Sequence, residues 1–462
     1  MGLKPLSSLA ALSLLFAPIV LPAPTGLSDE AWRALGLAAA MALWWLTEAL
    51  PLAATALLPL AAAPIFGIGT LEDVARSYSN PLIILFLGGF LIAKAIERSG
   101  LHRRLAGTLL GLAGTSPRRV LGAVMLTTAF LSLWISNTAS AMVVAPIAAA
   151  IAGSQDDRPA FGTALMLGVA FAATIGGMGS LIGTPPNAIF AAHVSTTYGV
   201  TVGFAQWAAV GVPVALMLLL LAWCVLAWLT PRVSSRPLTT SFGGQDGIMH
   251  TAERRVAIIA GLTALGWLSR PLIEWLYPAA TLSDAGIAMI AALALFLCPD
   301  GDGDRLLDWE TAASLRWDVL ILFGGGLALA DILQHSGLAD WIGGSVREIS
   351  NLPELLVLLI IAALIVYVGE LASNTAMAAI FLPIAGALAI TLNTDPVGFM
   401  LPIALAASVG FMLPVATPPN AIVFANKAVT RRDMLRAGAP LDVIALVIAV
   451  GGSAILGPVF FG

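Results

Sequence analysis

Apolar runs long enough to cross a lipid bilayer follow one another along almost the whole chain, and no other feature constrains its fold as strongly. A span needs about 20 residues, fewer where it is anchored or broken, and about eleven segments qualify. They lie near 6–21, 32–47, 50–68, 82–97, 161–179, 203–230, 254–277, 283–298, 318–335, 397–413 and 435–460. Only 10% of the 462 residues are charged, against 59% apolar. A soluble domain carries roughly a quarter charged residues, so the chain reads as an all-α polytopic membrane protein. The first run follows Lys4 and precedes Pro22-Ala23-Pro24-Thr25. A cleavable signal wants a proline-free site after a shorter core, so this run is expected to be the first membrane helix.

Two further apolar stretches, 118–152 and 353–392, are too long for one span. Each is interrupted near its middle, by Ser136-Asn137-Thr138 and by Ser373-Asn374-Thr375. Half of either stretch is about 15 to 20 residues, with a polar break where the bilayer centre would be. Each is expected to be a re-entrant helical hairpin.

With Lys4 inside and each hairpin returning to its own side, the basic residues sort cleanly. Of 22 Lys and Arg, all but Arg33, Arg76, Arg270 and Arg347 fall on the side of the N-terminus. The positive-inside rule then puts the N-terminus in the cytoplasm and the C-terminus outside.

The chain also contains itself twice, with repeats over roughly 82–230 and 319–460. Leu82-Ile-Ile-Leu-Phe-Leu-Gly-Gly-Phe90 recurs as Val319-Leu-Ile-Leu-Phe-Gly-Gly-Gly-Leu327, an offset of 237 that also carries Ser136-Asn137-Thr138 onto Ser373-Asn374-Thr375. Gly183-Thr184-Pro185-Pro186-Asn187 recurs as Ala416-Thr417-Pro418-Pro419-Asn420, at an offset of 233. The first repeat helix ends in Lys94, Arg98, Arg103 and Arg104, whereas its counterpart meets no Lys or Arg until Arg347. The copies are therefore expected to be inverted, an architecture that places a substrate near the midplane between them. After each repeat helix, 101–112 and 338–349 carry apolar stripes (Leu101, Leu105, Leu109, Leu112; Leu338, Trp341, Ile342, Val346, Ile349). Each stripe suits a helix lying on the membrane surface or one packed on its neighbours.

A hairpin tip leaves helix-end N–H and C=O groups unpaired at membrane depth, which persists only where protein, water, ions or substrate satisfy them. Ser, Asn and Thr donate and accept hydrogen bonds, helix N-termini favour an anion without any Lys or Arg, and freed carbonyls suit a hard cation. Pro-Pro removes two backbone donors, so the carbonyls before it are expected to be free ligands. Four such breaks, around 136–138, 183–187, 373–375 and 416–420, predict one anion site flanked by two cation sites. Glu48, Glu274 and Glu370 are the carboxylates nearest apolar segments. Glu370, three residues before Ser373, is expected to anchor the hairpin tip rather than carry a proton, because the aligned Leu133 is no acid.

Other classes find little support. The net charge of −4 and the lack of a basic patch exclude a nucleic-acid partner. Cys224 and Cys298 form no disulfide framework, and His102, His193, His250 and His335 have no metal spacing. Asp300-Gly-Asp302-Gly-Asp304 fails as a calcium loop, because Arg305 stands where Gly is required and Thr311 where Glu is. A membrane enzyme would need a nucleophile–base pair or metal cluster at membrane depth, and a passive anion channel would give large single-channel currents.

The paired SNT hairpins and paired TPPN breaks, over nearly the whole chain, resemble the divalent anion/sodium symporter family, and its bacterial dicarboxylate members in particular. The resemblance implies an elevator transporter in a bacterial inner membrane, a homodimer that imports C4-dicarboxylates (succinate, malate, fumarate) with sodium as coupling ion and no cofactor. It divides the chain into scaffold parts at 1–117 and 232–352 and transport parts at 118–231 and 353–462. By that likeness Ser136, Asn137, Thr138, Ser373, Asn374, Thr375, Thr417 and Pro418 would meet the substrate. One sodium would sit near Ser132, Ser136, Asn137 and Gly183, the other near Gly369, Ala372, Asn374 and Ala416. Gly369 stands where family members commonly carry Thr, which removes one hydroxyl ligand and leaves a backbone carbonyl. The family also contains sodium-independent dicarboxylate or citrate exchangers, the alternative to symport.

Overall fold

The structure, a computed structural model, describes residues 3–111, 113–154, 159–229, 233, 238, 249–277, 282–338, 341–342, 353–426 and 428–460. These residues form 21 α-helices and no β-strand. Helix α1 (Leu3–Val20) packs on α2 (Asp29–Thr47), whose first turn is capped by Ser28 accepting from the Ala31 N–H at 3.1 Å. The span expected over 50–68 is instead two short helices, α3 (Leu52–Ala56) and α4 (Leu58–Phe66). Pro59 occupies the first turn of α4 and has no N–H to continue the α3 ladder, so the helix restarts there.

Helices α5 (Leu71–Tyr78), α6 (Pro81–Ser99) and α7 (Leu101–Gly111) lead to the first hairpin, α8 (Pro117–Ser132) and α9 (Asn137–Gly153). A broken pair follows, α10 (Pro159–Met178) and α11 (Pro185–Tyr198), then α12 (Phe204–Cys224), which ends in a π-turn at Val225–Leu229. Helices α13 (Thr251–Leu276), α14 (Asp284–Leu297) and α15 (Trp309–Ala313) precede the second copy. That copy comprises α16 (Trp317–His335), the hairpin α17 (Glu354–Gly369) and α18 (Asn374–Thr391), the broken pair α19 (Pro396–Ala406) and α20 (Pro418–Phe424), and α21 (Arg431–Phe460).

Both expected hairpins are thus present, with tips at 133–136 and 370–373. Both breaks start earlier than the motifs suggest. The first occupies 179–184 and the second 407–417, so the run 397–413 is cut at Ala406. The prolines do not lie inside the breaks but open the helix that follows, in the first turn of α11 and of α20, where a missing N–H costs nothing. Among the described residues seven helices are long and apolar enough to cross a membrane, and the other expected spans are met by shorter or composite helices.

Burial sorts the helices. From Phe161 to Met178, α10 is enclosed on every side, by α8, α9, α12 and α20. Helix α13, by contrast, exposes Ile258, Leu262, Leu265, Leu268, Leu272 and Trp275, a one-sided apolar stripe fit for lipid. The repeat helices α6 and α16 use matching glycines for close contact. A Cβ on Gly88 would stand 2.5 Å from Ala288 of α14, and one on Gly325, 237 residues later, 2.3 Å from the Ala56 carbonyl of α3.

Helix α7 packs on α6, α8, α9 and α13, and its Arg104 pairs with Glu253 at 2.8 Å. It buries Leu101, His102, Ala106 and Leu110, so the stripe sits one position on from the expected Leu105 and Leu109. Leu112, Val346, Ile349, Arg347 and much of the second stretch lie outside the described residues. Of the three carboxylates singled out in the sequence, Glu48 caps the end of α2, Glu274 pairs with Arg270 at 2.8 Å, and Glu370 is buried.

Candidate functional site

At the first hairpin tip the chain leaves α8 at Ser132 and enters α9 at Asn137. Ser136 caps α9 by accepting from the Ala139 N–H at 3.2 Å. The Ser132 hydroxyl stands 2.6 Å from Asn137 Oδ1 and 2.6 Å from the Ala173 carbonyl. One proton serves only one of these oxygens, so three oxygen atoms converge with a single hydrogen among them. Asn137 lies directly on the end of α10, where a Cβ on Gly177 would meet its Oδ1 at 2.3 Å. A Cβ on Gly183 would meet the Gly177 carbonyl at 2.4 Å, so Ser132, Asn137 and Gly183 share one corner.

The second tip follows the same path from Gly369 to Asn374, with Ser373 in the capping position but without a side-chain cap bond. Here Gly369 stands where the first half has Ser132. Without that hydroxyl, Asn374 Oδ1 is buried and has no hydrogen-bond partner. A Cβ on Gly410, the counterpart of Gly177, would meet Ala416 at 3.3 Å and Thr417 at 3.5 Å, with Glu370 Oε1 at 3.9 Å. Ser132 Oγ, Asn137 Oδ1 and the Ala173 carbonyl at the first tip are neutral oxygens of the kind that hold sodium, and the orphaned Asn374 Oδ1 at the second is an acceptor with nothing to accept from.

The two halves meet crosswise. Helix α9, which begins at Asn137, packs against α20, which begins at Pro418; α18, which begins at Asn374, packs against α11, which begins at Pro185. Each SNT sequence therefore opens a helix seated on the other half's TPPN helix. The first N–H groups of α9 and α18 have no partner within their helices and carry partial positive charge. Asn137, Thr138, Ser373, Asn374 and Thr375 are half-buried, Ser136 and Pro418 exposed, and Thr417 buried with its Oγ1 accepting from the Asn420 N–H at 3.3 Å.

The carbonyls at the start of each break are satisfied, whereas no bond is made to those of 181–183 and 414–416, nearest Pro-Pro, among the described residues. The Asn187 side-chain amide donates to the carbonyls of Gly177 (3.1 Å) and Ser180 (2.8 Å). The Met178 carbonyl accepts from Trp207 Nε1 at 3.0 Å. In the second half the Asn420 amide donates to Gly410 (3.1 Å) and Leu413 (2.9 Å). The physical reason is burial: a lone carbonyl out of water is costly, and the last residue of each motif reaches back to two carbonyls near the start of the break.

Residues 4–461 match the family described as the sodium:sulfate symporter transmembrane region. The chain belongs to the divalent anion/sodium symporter family. It is 38% identical over 451 residues to the sodium-dependent dicarboxylate transporter SdcS of Staphylococcus saprophyticus, covering 92% of this chain and 86% of that one. It is 36% identical to SdcS of Staphylococcus aureus (strain USA300) over 434 residues, 89% and 83% of the two chains. Among solved structures, the Alcanivorax borkumensis YdaH transporter superposes with a TM-score of 0.58 at 15% identity, over 83% of this chain and 86% of that one. That likeness concerns the fold alone. As a divalent anion/sodium symporter family member, the chain is a multi-pass membrane transporter and not an enzyme.

Some residues of the site went unnoticed in the sequence. Glu370 anchors as expected, but its carboxylate accepts from the N–H groups of Met412 (2.9 Å) and Leu413 (2.7 Å), across in the break. Asp442, in the last long helix of this symporter-family chain, accepts from the Phe411 N–H at 3.1 Å. Its signal was a single acid inside the apolar run 435–460. Ala173 carries no side-chain signal, because only its carbonyl takes part.

Proposed function

We propose that this chain imports C4-dicarboxylates such as succinate, malate and fumarate, coupled to sodium, by an elevator movement. The observation that carries the reading is the crosswise seating of α9 on α20 and of α18 on α11, which joins each SNT-headed helix to the other half's TPPN-headed helix. The substrate carboxylates are met by Ser136, Asn137, Thr138, Ser373, Asn374, Thr375, Thr417 and Pro418, with the N-termini of α9 and α18 supplying positive potential. Sodium occupies two corners, one at Ser132, Ser136, Asn137 and Gly183, the other at Gly369, Ala372, Asn374 and Ala416. The names of the Staphylococcus relatives support the substrate class and the coupling ion.

In this reading 118–231 and 353–462 move as a transport unit against a scaffold formed by 1–117 and 232–352. Two such chains form a homodimer, with N-termini in the cytoplasm and C-termini outside. Equilibrium binding of labelled succinate to the purified protein tests the site. Binding is expected in sodium buffer and not in potassium, and its loss is expected in Asn137→Ala. Equal binding in both buffers would favour the sodium-independent exchanger instead.

A further inference from the structure

The two cation corners differ in kind. The first is made of neutral groups, Ser132 Oγ, Asn137 Oδ1 and the Ala173 carbonyl. The second has no hydroxyl, although there is room for one: a Cβ built on Gly369 finds nothing nearer than Met377 Cγ at 3.9 Å. It has charge instead. Glu370 is 1% exposed and Asp442 0%, and both close on the same turn of the break. Between them they receive the N–H groups of three successive residues, Phe411, Met412 and Leu413.

No cationic side chain pairs with either acid among the described residues, and the buried Asp442 Oδ2 receives no N–H. Glu370 Oε1 borders Gly410 together with Ala416 and Thr417, so Glu370 adjoins the second corner, and Asp442 holds the next residue, Phe411. A carboxylate removed from water is strongly disfavoured until donors or a cation compensate it, and two neighbouring ones repel. Three N–H groups cover part of that need. The remaining need is for positive charge, and Asn374 Oδ1, four residues after Glu370, is buried and also lacks a partner.

We propose that the second sodium site is held by charge: Glu370 and Asp442 supply the attraction that the Ser132 hydroxyl supplies in the first. This rests on the sodium-coupled reading above. It makes Asp442 a positioning and affinity residue that acts through the field of the site.

Sodium titrations of the thermal unfolding midpoint of the full chain in detergent, without substrate, read the sites directly. The unsubstituted protein is expected to be stabilised by sodium and not by potassium. Asp442→Asn keeps an acceptor for the Phe411 N–H and removes the charge. It is expected to raise the half-saturating sodium concentration at least about tenfold. Adding Gly369→Ser to it is expected to bring the value back toward the original. An unchanged sodium response in folded Asp442→Asn overturns the charge-held site while leaving sodium coupling intact. Should that variant not fold, Gly369→Ser alone decides: it is expected to lower the half-saturating concentration, and no change overturns the proposal. Absence of sodium stabilisation in the unsubstituted protein overturns the coupled reading itself.

Discussion

Asn187 and Asn420 make equivalent hydrogen bonds at equivalent places. Each turns its side-chain amide back onto the break before it, Asn187 onto Gly177 and Ser180, Asn420 onto Gly410 and Leu413. All three pairs of residues are 233 positions apart. The duplication therefore reaches individual hydrogen bonds, although two bonds beside them are reversed in chemistry. In the first half the Ser180 hydroxyl donates to the Leu133 carbonyl at 2.6 Å; in the second the Leu413 N–H donates to Glu370, the counterpart of Leu133.

Removing either amide should unfold its break. Asn187→Ala strands the Gly177 carbonyl and Asn420→Ala the Gly410 carbonyl, at about 1–3 kcal/mol, while Ser180 and Leu413 keep the N–H groups of Gly183 and Ala416. A lowered unfolding midpoint is expected for both in detergent, with transport falling in proportion to folded protein. A midpoint equal to that of the unsubstituted protein would show that water or neighbours satisfy those carbonyls.

The tip asparagines should behave in the opposite way. Asn137→Ala and Asn374→Ala are expected to abolish transport while leaving the midpoint nearly unchanged, because neither amide spans a break. Near-normal uptake by either variant would remove that residue from the site.

Glycine positions separate steric from chemical demands. Gly177→Ala drives a methyl group into Asn137 Oδ1, and overpacking of this kind costs about 1–3 kcal/mol. Gly369→Ala meets nothing closer than 3.9 Å and should fold as well as the original. Comparing the two midpoints checks the geometry of both corners without any transport assay.

The face between the proposed units carries a contact that an elevator has to break. Phe204 stacks on Trp267 with ring centroids 4.6 Å apart, and its N–H donates to Asp284 Oδ2 at 2.8 Å. Asp284 is in turn paired with Arg270 at 2.9 Å. Trp134, in the first hairpin tip, also stacks on Phe204, with ring centroids 6.2 Å apart. A cross-link formed between cysteines in Phe204→Cys/Trp267→Cys is expected to stop transport, and reduction to restore it. Full transport by the cross-linked protein would mean that this face does not slide.

Much of this arrangement was legible in the sequence because a polar triplet inside an apolar run has few structural explanations. Ser136-Asn137-Thr138 and Ser373-Asn374-Thr375 located both hairpin tips to within a few residues, and the offset of 237 related them. The breaks were less legible. Their N-terminal edges, at Gly179 and Ala407, depend on hydrogen bonds received from residues further along, such as Asn187, and Thr-Pro-Pro-Asn marks only the C-terminal edge. Asp442 was missed because its partner, the Phe411 N–H, lies 31 residues away and leaves no pattern. The split at Leu57 followed from Pro59, a signal present in the sequence but outweighed by the apolar length of 50–68.

Uptake of labelled succinate into proteoliposomes tests the central claim most directly. With sodium outside and potassium inside, the protein is expected to concentrate succinate above its external level, and to stop doing so when sodium is equal on both sides. Uptake that ignores the sodium gradient and rises only when the vesicles are loaded with dicarboxylate would contradict symport and establish exchange.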